Sequence, residues 1–155
     1  MLAFIDQHED ALLRSCLAGH LTGSALVVDS STGNVLLLHH AKLQRWLQPG
    51  GHADGDGDLG AVALREAIEE TGLVGLELVH PAIDLDIHVI PARGDEPAHL
   101  HLDVRYLVLA PQASAVVINA ESTGSRWVNP VTERHLLAPA LLRLVDAGLV
   151  RLRGS

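Results

Sequence analysis

Apolar and polar residues alternate strictly in two stretches near the middle of the chain. Residues 83–89 read IDLDIHV, and residues 99–106 read HLHLDVRY. Because successive side chains of a β-strand point to opposite faces, each stretch predicts a half-buried strand. The second stretch continues into LVLAP, where both faces become apolar, as in a central strand. If the two strands are antiparallel neighbours, their polar residues share one face of a sheet.

Shorter apolar runs predict the other strands. Residues 23–29 (GSALVVD) and 35–39 (VLLLH) predict two strands joined by the turn SSTGN. Residues 116–119 (VVIN) predict a further strand, and another follows around Trp127. Strands therefore precede and follow a central loop and helix, and this order allows an α/β fold.

Helical spacing of apolar residues predicts a helix near each end of the chain. In the leading segment, residues 1–20, the apolar positions between residues 4 and 17 suit a short amphipathic helix. The segment 133–149 contains LLAPALLRLVDAGL and predicts a helix that packs on one face of the sheet. We expect Pro139 in the first turn of that helix and Gly148 at its end.

The segment 50–73, GGHADGDGDLGAVALREAIEETGL, predicts a Gly-rich acidic loop followed by a helix. Asp58 is the expected N-cap, because its carboxylate can accept the free amide hydrogens of the first turn. Gly72 is the expected residue after the helix, where glycine takes a left-handed backbone without steric cost. One face of the helix carries Leu64, Ala67, Ile68 and Thr71. The opposite face carries three carboxylates, Glu66, Glu69 and Glu70.

Length and composition limit the classes of protein that this sequence can encode. A chain of 155 residues with 48% hydrophobic residues suits one folded domain, 1–155. No apolar run is long enough to span a bilayer, and the acids near the N-terminus are unlike a secretory signal. Cys16 is the only cysteine, which excludes an internal disulfide and fits a cytoplasmic protein. The net charge of −8 and the single lysine argue against a nucleic-acid polymer as partner.

The three carboxylates of the central helix need an explanation, because like charges at this spacing repel one another. Hard divalent cations such as Mg²⁺ prefer oxygen ligands gathered in this way. An acidic protein that handles phosphates would also need a metal to supply positive charge. The alternative is an ordinary solvated face on which Arg65 pairs with Glu69. The spacing alone leaves both interpretations open.

The segment resembles the Nudix box, the pattern G-x5-E-x7-R-E-U-x-E-E-x-G-U in which U is an aliphatic residue. The residues in register are Gly51, Arg65, Glu66, Glu69, Glu70, Gly72 and Leu73, with Ala67 as a small residue at the first U. Gly57 stands where the pattern has its first Glu, between Asp56 and Asp58. The resemblance covers this segment closely and the flanking organisation loosely.

Membership of the Nudix family implies a fold, a reaction and a cofactor. The implied fold is an α/β/α sandwich with a mixed sheet between helices. The implied reaction is hydrolysis of a phosphoanhydride in a nucleoside diphosphate linked to another moiety, with Mg²⁺ or Mn²⁺. The expected partner is therefore a small nucleotide or nucleotide-linked substrate, with no membrane and no nucleic-acid polymer. Dimers are common in the family, so a homodimer is left open.

The resemblance also implies roles for particular residues. The implied metal ligands are Gly50, through its carbonyl, Glu66, Glu69, Glu70 and Glu121. One of the helix carboxylates is expected to act as a base or to position water. Arg65 is expected to brace the loop and the helix through ion pairs. Glu121 precedes the strand with Trp127, where the family often has a further acid, and a surface acid in a turn is the equal alternative.

Candidate substrate contacts lie before the helix and on the two alternating strands. Trp46 could stack on a nucleobase, although packing that fixes the following Pro-Gly-Gly turn is the favoured alternative. His52 could reach a phosphate or cap the turn. The strand candidates are His88, His99, His101, Asp103 and Arg105, on one predicted face with Asp84 and Asp86. The alternatives are a solvated face with Asp–Arg and Asp–His pairs and, less favoured, a metal site built from the histidines, which no ligand spacing requires.

Gly57 leaves alternatives to a fully active enzyme. A glycine supplies no carboxylate. Asp56 or Asp58 could replace it after a small shift of the loop, but Asp58 is already engaged if it caps the helix, so we expect slower turnover or fewer metals. One competing function is a nucleotide- or metabolite-binding module on the same scaffold that no longer hydrolyses. Another is an isomerase of allylic diphosphates, which shares the fold but would use a Cys, and Cys16 in the leading segment is poorly placed for it. The substrate itself does not follow from the sequence.

Overall fold

The computed structural model describes residues 1–111 and 115–154, and the strands in this part of the chain form one sheet. The strands are β1 (Gly19–Asp29), β2 (Val35–His40), β3 (Arg45–Leu47), β4 (Gly50–His52), β5 (Glu77–Ile90), β6 (His99–Ala110) and β7 (Ser122–Val128). The helices are α1 (Leu2–Gln7), α2 (Leu59–Thr71) and α3 (Pro139–Arg153), with a 3₁₀ turn at Arg134–Leu136.

The sheet is mixed, and its strand order is β3-β2-β1-β6-β5, with β4 paired to β1 and β7 paired to β2. The long central strands β1 and β6 are parallel, and the other pairs are antiparallel. Ala25 and Val27 of β1 pack in one core cluster with residues of α2. Leu26 and Val28, which point to the other face, pack in a second cluster with residues of α3. The expected α/β/α sandwich with a mixed sheet is therefore confirmed.

Both predicted ends of α2 are present, and part of its predicted apolar face is buried. Asp58 Oδ1 accepts from Ala61 N at 3.0 Å, and Gly72 has a φ of 64°. Ile68, on the predicted apolar face with Ala67 and Thr71, is 44% exposed, whereas those two residues are buried. The buried residues include the small Ala63 and Ala67, because the helix lies close to β1, where a Cβ at Gly23 would come 2.6 Å from the Leu59 carbonyl oxygen.

The leading helix is shorter than the sequence predicted. It ends at Gln7, and turns continue through the region that was expected to be helical. The Ala11 carbonyl accepts from Leu21 N of β1 at 2.8 Å, and the Leu12 carbonyl accepts from Gly55 N at 2.9 Å. These carbonyls are therefore bonded to the sheet and the loop instead of to a following helical turn.

Two predictions for the C-terminal part were also wrong. Pro139 begins α3 as expected, but the helix passes through Gly148 and ends at Arg153. Gly148 is there for close packing, because a Cβ would overlap the Leu26 side chain. Residues 116–119 form no strand, and the Val117 amide instead donates to the Thr71 carbonyl at the end of α2, at 2.7 Å.

Strands β5 and β6 are antiparallel neighbours, as expected, but the exposed face of β5 is the apolar one. Leu85, Ile87 and Val89 are 57%, 50% and 64% exposed. The side chains of Asp84 and Asp86 are largely buried because they join ion pairs beneath α3. Within residues 1–111 and 115–154, no helix has the length and apolar character needed to cross a membrane.

Candidate active site

The α2 carboxylates lie beside β4. Glu70 Oε1 accepts a hydrogen bond from Gly50 N at 3.1 Å, which joins the helix to that strand. Burial raises the pKa of Glu70 to about 7, and the Gly50 amide opposes this rise. The negative charges of Glu66, Glu121 and Glu69 raise the pKa further. Carboxylates that are far apart in the sequence are thus close enough to disfavour one another's ionisation.

Glu121 reaches this group although no strand precedes it. Its amide donates to Asn119 Oδ1 at 2.9 Å, and its carbonyl accepts from Ala41 N at 2.8 Å, so the backbone holds it at the start of β7. Its charge acts on both Glu70 and Arg14. The four acids that the resemblance implied as ligands are therefore within range of one another's charge.

Arg65 connects the loop to the helix. Its Nη2 donates to the His52 carbonyl at 3.3 Å and to Glu66 Oε1 at 3.0 Å. Arg65 therefore joins the loop and the helix in the way expected of it. Its carboxylate partner is Glu66, whereas the alternative of a solvated face predicted a pair with Glu69. The Glu66 carboxylate also lies directly against Gly51, where a Cβ would overlap it. The segment needs glycine at that position for this close approach.

The loop acids near Gly57 are engaged in local structure. Asp58 caps α2, and Asp56 Oδ1 accepts from Asp58 N at 2.9 Å. Asp54 forms an ion pair with Arg14, with an Nε–Oδ1 distance of 2.7 Å. A Cβ at Gly57 would meet no heavy atom within 4 Å. The position where the Nudix box has its first Glu therefore has room for a side chain.

The donors at this site suit a hard divalent cation. They are carboxylate oxygens on one helix, a further carboxylate at the start of β7, and the backbone of β4 at Gly50. The mutual repulsion that raises the pKa of Glu70 is the electrostatic condition that a bound cation relieves. Mg²⁺ and Mn²⁺ fit this set, whereas a soft metal would favour sulfur or imidazole ligands.

The strand candidates do share one face of the sheet. The paired positions are Asp84 with Arg105, Asp86 with Asp103, and His88 with His101. Buried Asp103 accepts from Thr22, from Ser24 and, at 2.7 Å, from Arg105 Nε. Arg105 also donates to Asp84 and Asp86, both of which pair with Arg143 of α3. The charges of Asp103 and Arg105 are therefore balanced within the fold, as in the Asp–Arg alternative.

The remaining candidates lie in two places. Trp46 of β3 is 38% exposed and packs on His39, with a ring-centroid distance of 5.1 Å, so it combines packing with an accessible edge. His52, His99 and His101 lie around His20, with ring centroids 4.8–4.9 Å from it. Sequence reasoning missed His20, and only the high histidine content hinted at such a group, because strand register was needed to bring the rings together.

Comparison with known proteins identifies the family of this fold. The sequence model of the NUDIX domain matches residues 20–144. A Caenorhabditis elegans Ap4A hydrolase, solved as a binary complex, is similar at 18% identity and a TM-score of 0.70, covering 87% of this chain and 98% of that one. A NUDIX-family hydrolase of Clostridium perfringens has 21% identity and a TM-score of 0.66, with 84% and 97% covered. The NUDIX domain of Shewanella oneidensis NrtR, solved with ADP ribose, has 24% identity and a TM-score of 0.61, with 85% and 87% covered.

Proposed function

Because the chain belongs to the NUDIX family, we propose that it is a hydrolase of nucleoside diphosphates linked to another moiety, dependent on Mg²⁺ or Mn²⁺. The observation that carries the proposal is that the charges of Glu66, Glu69 and Glu121 all act on Glu70, whose carboxyl is bonded to β4. Such a group of acids disfavours an anionic substrate unless a cation is present.

The residues that would hold the cation are Glu66, Glu69, Glu70, Glu121 and the carbonyl of Gly50. A divalent cation in this position neutralises diphosphate oxygens and makes water a better nucleophile. The Gly50 amide and Arg65 hold two of the carboxylates in place. Arg65 is thus a positioning residue that acts through Glu66 and the loop.

Glu69 is the carboxylate to which we assign the most direct part in the reaction. It is exposed, and none of the hydrogen bonds in the described part of the chain involves its carboxylate. Glu66 and Glu70 are both held by protein donors. Glu69 is therefore free to accept a proton from the attacking water or to complete the set of metal ligands.

The substrate class is a nucleotide linked through a diphosphate. Because the similar structures include an Ap4A hydrolase and a NUDIX domain that binds ADP ribose, Ap4A and ADP ribose are the compounds to test first. Trp46 is partly accessible to a base, and among the candidate histidines His52, His88 and His101 are not fully buried. These residues remain the proposed substrate contacts, because Asp103 and Arg105 are buried in ion pairs.

A panel of nucleoside triphosphates, nucleotide sugars, ADP-ribose and dinucleotides tests this function, with phosphate and nucleotide release measured in Mg²⁺ and in Mn²⁺. Glu69→Gln should lower turnover by about 100-fold, because it removes a charge and keeps the side-chain size. Glu77→Gln, an exposed acid at the start of β5, is the matched control and should leave turnover unchanged.

The competing function is a binding module that no longer hydrolyses, and Gly57 is the observation that favours it. Nucleotide binding by calorimetry, with no release from any compound of the panel, would support that module and contradict the hydrolase. Release that depends on the metal and is lost in Glu69→Gln would exclude it.

A further inference from the structure

Three histidines from three strands meet on one face of the sheet, the face on which α3 packs further along β1. His20 of β1 is paired with His101 of β6, and His52 of β4 is paired with Thr22, the next residue of β1 on the same face. The ring centroids are 4.9 Å apart for His20–His52 and His20–His101, and 5.0 Å apart for His52–His101. One ring nitrogen of each residue lies within 4.8 Å of the other two.

His20 is the unusual member of this group. It is 3% exposed, and among the described residues neither of its ring nitrogens has a hydrogen-bond partner. Burial lowers the pKa of His20, and the nearby Cys16 backbone, which opposes this effect, can occupy only one of the two nitrogens. Buried polar groups in proteins are almost always paired, so an unpaired buried imidazole needs a partner such as water or an ion.

We propose that His20, His52 and His101 bind one divalent transition-metal ion, with Zn²⁺ the best match to three imidazole ligands. Nitrogens bound to one tetrahedral Zn²⁺ at its usual bond length lie about 3.4 Å apart, so small ring rotations would close the present separation. Three histidines leave a fourth position for water or another ligand. His52 and His101 are half-buried, which gives the ion a path from solvent.

The protonation state of the ligands suits metal binding at neutral pH. Burial lowers the pKa of His52 to about 4, and the positive charge of Arg14 adds to the effect. Burial also lowers the pKa of His101 to about 3. A metal ligand must be a neutral imidazole, so no proton has to be displaced for the ion to bind.

The neighbouring histidines are held outside the triad. His99 Nδ1 bonds to the Pro97 carbonyl at 2.9 Å, and His88 Nδ1 bonds to Asp86 Oδ2 at 2.9 Å. Each therefore has a partner of its own. The site is thus defined by the three strands β1, β4 and β6.

This site is distinct from the carboxylate site. The α2 helix packs on the Ala25 side of β1, whereas His20 shares the opposite side with Leu26, which packs with α3 residues. Imidazole nitrogens select Zn²⁺, and clustered carboxylates select Mg²⁺. An ion here would join β4 to β1 and β6. Because Glu70 bonds to Gly50 of β4, the ion would also steady the strand that lies against the acids.

The test uses full-length protein without a histidine tag, stripped with a chelator and titrated with Co²⁺ as a visible probe. We expect one equivalent of Co²⁺ to bind with the absorption of a nitrogen-ligated tetrahedral site, and Zn²⁺ to displace it. His52→Gln and His101→Gln should each weaken binding by about 100-fold or more. His135→Gln, at an exposed position, is the matched control and should bind as the wild type does.

Two further readouts keep the proposal falsifiable if a variant folds poorly. The ring ¹⁵N chemical shifts of the wild-type histidines should move on addition of Zn²⁺ for His20, His52 and His101. Glu69→Gln should retain Co²⁺ binding while losing hydrolysis, so failure of one site is distinguishable from failure of the other. Absence of stoichiometric Co²⁺ and Zn²⁺ binding, or unchanged affinity in His52→Gln and His101→Gln, would overturn the proposal.

Discussion

At the scale of single residues, Glu70 gives the carboxylate site a pH signature. Its pKa in the folded protein is about 7, raised from 4.5 by burial and by the neighbouring acids. A carboxyl with a raised pKa stays protonated up to a higher pH in the folded state than in the unfolded state. The stability of the metal-free protein should therefore fall as pH rises from about 4.5 to 7.

Glu70→Gln removes this titration and keeps an acceptor for the Gly50 amide. The free energy of unfolding of both proteins is measured with urea in the absence of metal. Between pH 5 and 7.5, the stability of the variant relative to the wild type should increase, because only the wild type loses the contribution of Glu70. Saturating Mg²⁺ should reduce that difference, since a bound cation stabilises the ionised wild-type carboxylate. A difference that is constant with pH would show that Glu70 is not the titrating group.

A second prediction at the scale of single residues concerns the missing acid at Gly57. A Cβ at this position meets no heavy atom within 4 Å, so Gly57→Glu can introduce a carboxylate there. If the missing acid limits the reaction, this variant should raise turnover by about tenfold and lower the Mg²⁺ concentration needed for half-maximal rate. Gly57→Gln has the same size without the charge and should show neither change. Equal rates in all three proteins would mean that this position has no part in metal binding.

At the scale of elements, α3 is held to the sheet by charge as well as by its apolar face. Arg143 pairs with Asp84 and Asp86, which also pair with Arg105. Arg143→Ala leaves two largely buried acids with one guanidinium, and it should cost about 1–3 kcal/mol of unfolding free energy, with hydrolysis retained. Urea denaturation measures this cost, with Arg153→Ala, exposed on the same helix, as control. A change equal to that of the control would show that the network does not stabilise the fold.

Features of helices and strands that depend on nearby residues were predictable from the sequence, and features that depend on distant residues were not. The caps of α2 were predictable because Asp58 and Gly72 act through local hydrogen bonds and local backbone conformation. The strands β5 and β6 were predictable from alternation, which left their pairing open. The burial of the acids on β5 was not, because it depends on Arg143, which is 57 residues further along the chain than Asp86. Alternation predicts that the two faces of a strand differ in polarity, but it does not predict which of them another element of the fold covers.

At the scale of the whole molecule, the fold and the carboxylate site were predictable from one contiguous segment. The spacing of Glu66, Glu69 and Glu70 is set by the helix, so the sequence alone places them together. The place of Glu121 required the family resemblance, and the histidine triad required the register of three strands. Chemistry that is assembled from distant strands is therefore the part that sequence reasoning could not reach.

The most direct test of the account is hydrolysis in ¹⁸O-labelled water with Mg²⁺, using the compound of the panel that turns over fastest. Wild type and Glu77→Gln should release products in which one phosphate carries a single ¹⁸O, and Glu69→Gln should release almost none. This result would show that water attacks a phosphoanhydride at the carboxylate site. Release that needs no divalent cation, or that persists in Glu69→Gln, would contradict the account.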